Sequence, residues 1–218
     1  DNANIRLGLD YGFSKYLSLG IGRSSFQQLA DGNFKLKLMR QTKSEGSRPV
    51  TIVLYGATTV YTGTSFFPAD VTPTLIRRLN YVSQLLIARK FSPTFSLQLM
   101  PTVLHRNFTI STEDKNTVFA MGVAARLKLN KRLALLSEYY FTPPYQFGSG
   151  YYPHTVAIGV DIETGGHVFQ LHFTNATGMV APQFLGMNTT NIKDGLAAIR
   201  FGFNISRSFS LKGKDKQW

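Results

Sequence analysis

The sequence predicts an all-β protein whose strands form an antiparallel up-and-down barrel. Two observations support this fold: apolar and polar residues alternate along most of the chain, and short connections alternate with long ones. Composition is a third. The 218 residues are 43% hydrophobic, 13% aromatic and 17% charged, which is the composition of a folded chain and is compatible with one domain.

Eleven segments have the period-2 alternation of strands, and no segment has a convincing helical period. Many of them have ten residues or more, longer than the usual strand of about 5 to 6 residues and close to the roughly 9 to 11 that a tilted strand needs to cross a bilayer. The alternation in 49–62 fits either face assignment. The predicted strands are 4–13, 16–26, 32–41, 49–62, 75–91, 95–108, 117–129, 133–142, 152–164, 167–176 and 195–209.

The connections favour a transmembrane barrel. Short turns on the periplasmic side and longer loops on the outer side are typical of outer-membrane barrels. The tight joints are 14–15, 92–94, 130–132 and 165–166, with a somewhat longer one at 42–48, and the mostly long joints are 27–31, 63–74, 109–116, 143–151 and 177–194.

The number of strands adds an expectation about closure. With eleven strands, the first and the last would run in the same direction, whereas bacterial barrels have an even number. We therefore expect about twelve strands, one of them preceding Asp1, with both termini in the periplasm. Residues 1–209 are expected to form the barrel domain and 210–218 a basic tail, which leaves Phe209 and Trp218 as candidates for the C-terminal assembly signal.

The alternation also predicts which side chains meet lipid and which meet the lumen. One face is nearly free of charge, and the other mixes small residues with isolated ionic ones, as the crowded interior of a barrel requires. We expect aromatic residues near strand ends to form interfacial girdles: Tyr11, Phe13, Phe91, Phe95, Tyr139, Phe141 and Phe209. The predicted lipid-facing residues are Leu7, Leu9, Phe119, Met121, Val123, Val160, Phe169, Leu171, Phe173, Phe201 and Phe203. The predicted lumen-lining residues are Arg6, Asp10, Lys35, Lys37, Arg78, Lys90, Arg126, Lys128, Glu138, Asp161, Glu163, Gln170, His172 and Arg200.

The predicted lumen suggests a narrow channel. Its eight cations and four carboxylates leave a net charge of +4, which lowers the electrostatic cost of an anion inside. Twelve strands about 4.8 Å apart and tilted by about 40° enclose a cylinder on the order of 24 Å across, with ~10 Å or nothing left between the side chains. The alternatives are a structural or interaction subunit with a blocked lumen, and a soluble sheet protein that binds an acidic ligand.

Other classes of function have little support. The formal charge is +12, but the cations are spread over turns and strands and do not form the single patch that nucleic-acid binding favours. No cofactor motif, metal-ligand spacing or catalytic triad is evident, so we expect no enzyme. Two weak signals are His105 near Asn107, as in a barrel-wall phospholipase, and Asp161 with Glu163, which could hold a hard cation but more simply pair with Arg or Lys.

Four segments carry a resemblance to a known family: IRLGLDYGFSKYLSLGIGRSSF, NYVSQLLIARKFSPTFSLQLMPTVLHRN, DIETGGHVFQLHFTNATGM and IRFGFNISRSF. They are similar to an uncharacterised family of Bacteroidota β-barrel proteins, a domain of unknown function whose members have one more strand before this segment. The resemblance implies a barrel in the outer membrane of a Gram-negative bacterium and supplies no activity. The expected partners are outer-membrane lipid and lipopolysaccharide, with other outer-membrane proteins as candidates through the long loops.

Overall fold

The protein forms one antiparallel sheet of eleven strands, as seen in a computed structural model that describes residues 3–43, 47–148, 151 and 154–210. The tail 211–218 lies outside the described residues. The strands are β1 (Arg6–Gly12), β2 (Leu17–Ser24), β3 (Leu29–Met39), β4 (Thr51–Tyr61), β5 (Leu79–Lys90), β6 (Phe95–Arg106), β7 (Thr117–Lys128), β8 (Leu133–Phe141), β9 (His154–Thr164), β10 (His167–Thr174) and β11 (Arg200–Arg207).

Every strand pairs with its neighbours in the chain, in the order β1 to β11. The eleven predicted strands and their order are therefore confirmed. Three boundaries differ by three residues or more: β3 begins at Leu29, inside a predicted loop, β5 begins only at Leu79, and β11 only at Arg200. Before β5 and β11 the chain turns helically instead, in α1 (Leu75–Arg78) and in a 3-10 helix at Ile192–Ala198. These turns and α2 (Ala181–Phe184) are local structures that period-2 reasoning does not detect.

The sheet is strongly curved. Gln84 on β5 and Tyr140 on β8 lie three strands apart, which is about 14 Å on a flat sheet. Even so, the Gln84 amide donates to the Tyr140 hydroxyl at 2.7 Å, so the sheet curls toward the face that carries both side chains. We call this the concave face and the opposite one the convex face. Among the described residues β1 and β11 do not pair with each other, so the sheet is not closed.

The convex face is apolar and exposed. Leu171 stands between Val160 on β9 and Phe203 on β11 in the register, and none of the three is buried in a protein core. Phe119 and Phe203 are 56% and 63% exposed. The aromatic residues predicted as girdles are exposed as well. The core lies instead against the concave face, around Val82, Leu104 and Val118. No helix of the described part is long and apolar enough to cross a membrane.

Candidate functional site

The concave face carries almost all residues that the alternation assigns to a lumen. The register aligns Lys90 with Ser96 and Arg126, and Asp161 with Gln170 and Asn204, on this one side of the sheet. Strand β4, which the sequence left unassigned, turns Tyr55 and Thr59 to the same side. Nine more of the predicted residues share it: Arg6, Asp10, Lys35, Lys37, Lys128, Glu138, Glu163, His172 and Arg200. The predicted lipid-facing residues share the convex face.

Arg78 is an exception, because the strand that was expected to carry it does not include it. It ends α1, where its guanidinium donates to the carbonyl oxygens of Pro73, Tyr61 and Gly63, each at 2.9 Å. Alternation along β5 therefore does not determine its direction. Its role is to fasten the 63–74 loop to the end of β4.

Three ion pairs neutralise part of the charge on the concave face. Arg6 binds Asp31 through two nitrogens, with the shorter contact at 2.6 Å. Lys35 lies 3.7 Å from Asp10, and Arg126 lies 3.5 Å from Asp161. Asp31 falls in the predicted connection 27–31, so the alternation did not assign it to this face. Extending the alternation back from Lys35 through Asn33 would have found it.

A glycine makes room for the strongest of these pairs. A Cβ atom at Gly22 would overlap the Arg6 guanidinium and lie 2.7 Å from an Asp31 oxygen. Since β2 lies between β1 and β3, the pair crosses over the middle strand, and only a residue without a side chain leaves that space open. An ion pair that joins two strands across a third therefore needs a small residue on the middle strand, which explains why small and charged residues are mixed on this face.

A polar ladder runs across β11, β10 and β9 to β7. Asn204 donates to Gln170 at 2.8 Å, and Gln170 donates to Asp161 at 3.0 Å, which in turn faces Arg126. Asp161 is thus engaged by an amide and a guanidinium. In the described part of the chain, no three His, Asp or Glu residues gather as a metal site would require.

The long connection between β10 and β11 folds back over the concave face. Its residues 177–191, which we call the inward loop, are hydrogen-bonded to parts of the chain near the two opposite edges of the sheet. Gln183 donates to the Phe26 carbonyl between β2 and β3 at 3.1 Å, and Asn188 donates to the His154 carbonyl on β9 at 3.2 Å. The sequence made the long loops candidate contacts to other outer-membrane proteins, and the structure has this loop folded back over the concave face.

Two apolar clusters seal the inward loop against the strands. Leu185, 3% exposed, packs with Leu104, Val118 and Tyr140. Val180 packs with Leu29, Tyr61 and Phe67, and Phe66 stacks on Tyr61 with 4.0 Å between ring centroids. The apolar residues of the loops 63–74 and 177–194 are therefore largely used inside the molecule. At the long-loop end, the concave face is covered.

Arg106 anchors the middle of the inward loop. It is 2% exposed and donates to the Gly186 carbonyl at 2.7 Å and to the Lys115 carbonyl at 3.1 Å. A Cβ atom at Gly186 would lie 2.7 Å from the Pro182 carbonyl oxygen, so the tight approach of the loop requires glycine here. Sequence reasoning did not select Arg106, although the alternation of β6 places it on the face opposite to His105.

A buried acid lies nearby in the 109–116 connection. Asp114 is 5% exposed and accepts from the Gly148 amide at 2.9 Å. Burial raises the pKa of the Tyr151 hydroxyl, and the Asp114 carboxylate raises it further. Tyr151 is therefore neutral at physiological pH and can act as a hydrogen-bond donor.

The short-turn end of the concave face has a different character. Lys90 and Lys128 are the last residues of β5 and β7, and Lys37 lies near the end of β3. Among the described residues none of these three has a carboxylate within 4.0 Å. This end is therefore cationic and uncovered by the inward loop. The other end is covered, and its arginines Arg78, Arg106 and Arg200 donate to carbonyl or hydroxyl oxygens.

On the convex face, His105 is bonded on both sides. Its Nδ1 lies 2.8 Å from the Thr117 hydroxyl and its Nε2 lies 3.2 Å from the Asn107 amide oxygen, while the Tyr81 ring stacks on it with centroids 6.4 Å apart. The sequence pointed to Asn107 as its neighbour, and the structure adds Thr117 and Tyr81. We call these four residues the His105 cluster.

The curved antiparallel sheet with an apolar exterior defines a membrane β-barrel protein. The chain matches the family model "Membrane bound beta barrel domain (DUF5777)" over residues 1–209 and belongs to that family. No curated protein matches it in sequence.

A solved porin structure shows the same fold at low identity. The NanC porin, in its rhombohedral crystal form, is 7% identical with a TM-score of 0.57, covering 84% of this chain and 86% of that one. The Pseudomonas putida toluene transporter TodX is 14% identical with a TM-score of 0.33, covering 78% of this chain and 42% of that one.

Proposed function

We propose that the protein is a narrow, non-enzymatic channel for small or anionic solutes in the outer membrane of a Gram-negative bacterium of the Bacteroidota. In this proposal the concave face is the water-filled lumen, the short turns and both termini are periplasmic, and the inward loop narrows the outer mouth. Membership in a family of membrane-bound barrels supports the location, and the fold shared with a porin agrees with it.

The observation that carries the channel proposal is the group of unpaired cations at the uncovered turn end of the concave face. This end has Lys37, Lys90 and Lys128 without ion-pair partners in the described chain, while Arg6, Lys35 and Arg126 are paired. Unpaired cations in a narrow passage attract anions from solution and lower the cost of their entry. A sheet that served only as a scaffold would gain from paired charges such as Arg6 with Asp31, but not from cations without partners.

A second candidate is a non-conducting subunit of an outer-membrane assembly. It is supported by the inward loop, since Leu185 and Val180 fill the long-loop end of the concave face with buried apolar side chains. In that case the exposed loop residues would be the contact surface. Leu196 is 87% exposed and Tyr145 is 70% exposed, so the long-loop end has apolar groups available for a partner.

Conductance across a planar bilayer distinguishes the two candidates. We expect the full-length protein to give a small conductance, and a variant with residues 179–188 replaced by a Gly-Ser linker to give a several-fold larger one, because the narrowing segment is gone. Leu196→Ser, outside the inward loop, is the control and should match the wild type. If neither the wild type nor the linker variant carries current in any salt, the protein is not a channel and the subunit role remains.

A further inference from the structure

Three hydrogen-bond donors lie side by side on the concave face near the turn end. The register places Lys90 on β5 opposite Ser96 on β6, and Ser96 opposite Arg126 on β7. Directly opposed side chains in a sheet have Cβ atoms about 4.5–5.5 Å apart. Ser96 therefore stands between two cations, and all three side chains project to the same side. We call Lys90, Ser96 and Arg126 the donor row.

Most donors of this row are unused within the protein. Among the described residues, the Lys90 ammonium has neither a carboxylate within 4.0 Å nor a hydrogen bond, and the Ser96 hydroxyl has no hydrogen bond. Arg126 approaches Asp161 through Nε, at 3.5 Å. The four N–H groups on the two Nη atoms of Arg126 have no hydrogen-bond partner in the same part of the chain. The row thus offers donors of three kinds to a ligand on the concave side.

Small residues leave room beside the donor row. Two positions further from the turns, Gln98 lies between Ala88 and Ala124 in the register. An alanine side chain ends at Cβ, so the space next to the Lys90 and Arg126 side chains is not filled from this direction. The Gln98 amide has no hydrogen-bond partner among the described residues, and it adds two N–H donors about 7 Å along β6 from Ser96.

The charge around the donor row is positive. Lys90, Arg126 and the neighbouring Lys128 contribute three positive charges, and Asp161 contributes one negative charge, which leaves +2. The Asp161 carboxylate is already engaged, because it also accepts from the Gln170 amide at 3.0 Å. A ligand with two negative charges would balance the group, whereas a cation would be repelled.

A phosphate group has the charge and the acceptors that this arrangement needs. A phosphate monoester carries about −1.5 to −2 charges at pH 7 and has three strong acceptor oxygens. The Lys90 ammonium, the Ser96 hydroxyl and the Arg126 guanidinium can each donate to a different oxygen. The backbones of β5 and β7 are about 10 Å apart, a distance that the two long cationic side chains bridge by leaning over Ser96. A carboxylate has two oxygens and a single charge, and chloride has no directional acceptor, so both leave part of the row unused.

We propose that the donor row is a binding site for a phosphate group, and that the solutes selected by the channel are inorganic phosphate and small phosphate monoesters. The phosphate lies over Ser96, between Lys90 and Arg126, with Gln98 on the side of the barrel middle. The selection of solutes rests on the proposed channel function, whereas the binding itself needs only water on the concave face. The head group of a phospholipid does not reach the row, because the bilayer borders the convex face.

Equilibrium dialysis of the purified full-length protein in non-ionic detergent, with radiolabelled inorganic phosphate at pH 7, tests the site without requiring a current. We expect saturable binding of one phosphate per chain. Glycerol 3-phosphate should displace it about 10-fold more effectively than acetate does, and phosphatidylglycerol in the micelle should not displace it. Absence of saturable binding, equal displacement by acetate and glycerol 3-phosphate, or displacement by phosphatidylglycerol would overturn the proposal.

Variants locate the bound phosphate. Lys90→Gln and Arg126→Gln each remove one cation and should weaken binding about 5-fold or more, and Ser96→Ala, which changes no charge, should weaken it about 3-fold. Lys131→Gln removes the same charge as Lys90→Gln from an exposed turn, so it is the matched control and should bind like the wild type. Heat-modifiable mobility on gels verifies that each variant is folded. Equal affinities of Lys90→Gln and Lys131→Gln would show a general effect of charge and refute the site.

Current measurements separate this site from the channel function. In planar bilayers, phosphate should reduce the chloride current of the wild type and leave that of Lys90→Gln unchanged. Phosphate binding without current in any salt would refute the channel and keep the site. A chloride current in a protein that binds no phosphate would keep the channel and refute the site.

Discussion

At the scale of single residues, the structure depends on polar side chains that replace missing backbone partners. Buried polar groups without partners are costly, about 1–3 kcal/mol each. Arg106 donates to two carbonyls from different loops. The Gln146 side chain bonds the N–H and the carbonyl of Phe119, in a part of β7 that β8 does not pair with. These residues hold the covered end of the molecule together, and each leads to a prediction.

Replacing Arg106 by Leu should lower the free energy of unfolding by about 2–4 kcal/mol, because the Gly186 and Lys115 carbonyls lose their donors inside the protein. Arg106→Lys keeps the charge but cannot reach both carbonyls, and should cost about half as much. Urea unfolding in lipid vesicles measures both. Arg77→Leu removes an exposed guanidinium and should change the free energy by less than about 0.5 kcal/mol. Equal effects at positions 77 and 106 would contradict the anchoring role.

Gln146 completes the pairing of β7 where β8 does not reach. β8 pairs with β7 only as far as Phe141 opposite Met121, and the Gln146 side chain accepts from the Phe119 N–H at 2.6 Å and donates to the Phe119 carbonyl at 2.9 Å. Gln146→Ala should therefore speed hydrogen exchange at the Phe119 amide by at least 10-fold. Exchange at Val103, which faces Phe119 across the other edge of β7, should not change. An unaltered Phe119 rate would show that this bond does not protect the strand.

At the scale of elements, each strand separates two environments. In β10 the odd-numbered Phe169, Leu171 and Phe173 lie on the convex face, and Gln170 and His172 on the concave one. β4 shows the limit of this rule in the sequence, because both of its faces are rich in apolar residues and its register alone assigns Tyr55 and Thr59 to the concave side.

Neighbouring residues of β10 should respond oppositely to a charge. Leu171→Arg should lower the free energy of unfolding in bilayers by about 2–4 kcal/mol, since it places a guanidinium in hydrocarbon near the middle of the strand. The matched variant Gln170→Arg puts the same group beside Asp161 on the concave face and should cost less than about 1 kcal/mol. Urea titration in vesicles of short-chain phosphatidylcholine measures the free energy of unfolding of both variants. If Gln170→Arg were the more damaging of the two, the assignment of the faces would be reversed.

At the scale of the whole molecule, the sheet curls around a concave face with one covered and one open end. β1 and β11 run in the same direction, so a single antiparallel strand fits between them; the twelfth strand remains a prediction of the even-number rule. The distribution of charge belongs to this scale too, because it depends on which cations find carboxylates on other strands.

Ion selectivity should follow the charge of the open end. If the concave face is a lumen, the wild type should prefer chloride over potassium, and the triple variant Lys37→Glu, Lys90→Glu, Lys128→Glu should prefer potassium. Reversal potentials in a salt gradient measure this preference. Converting the exposed Lys43, Lys131 and Lys193 to Glu changes the total charge equally but leaves the three cations of the open end in place, so anion preference should persist. If the reversal potential shifts equally in both triple variants, the selectivity depends on the total charge of the protein and not on the concave face.

Much of the fold was predictable because alternation is a local property. The strands, their order and the faces of residues such as Phe119 and Gln170 follow from period 2 and from the lengths of the connections. Asp31 and Arg78 were misplaced because alternation locates the ends of a strand only to within a few residues. Asp31 lies just inside the start of β3, and Arg78 belongs to a helical turn of four residues before β5. The ion pairs of the concave face were harder, because Arg6 and Asp31 are two strands apart.

The sequence by itself determined an antiparallel sheet with one apolar and one small-and-charged face, since adjacent side chains of an extended chain necessarily point to opposite sides. Only the tertiary structure decided that the inward loop covers the concave face and that Arg106 holds it there. These features depend on how far the sheet curls, which brings residues of distant strands together, and that curvature is a property of all the strands at once.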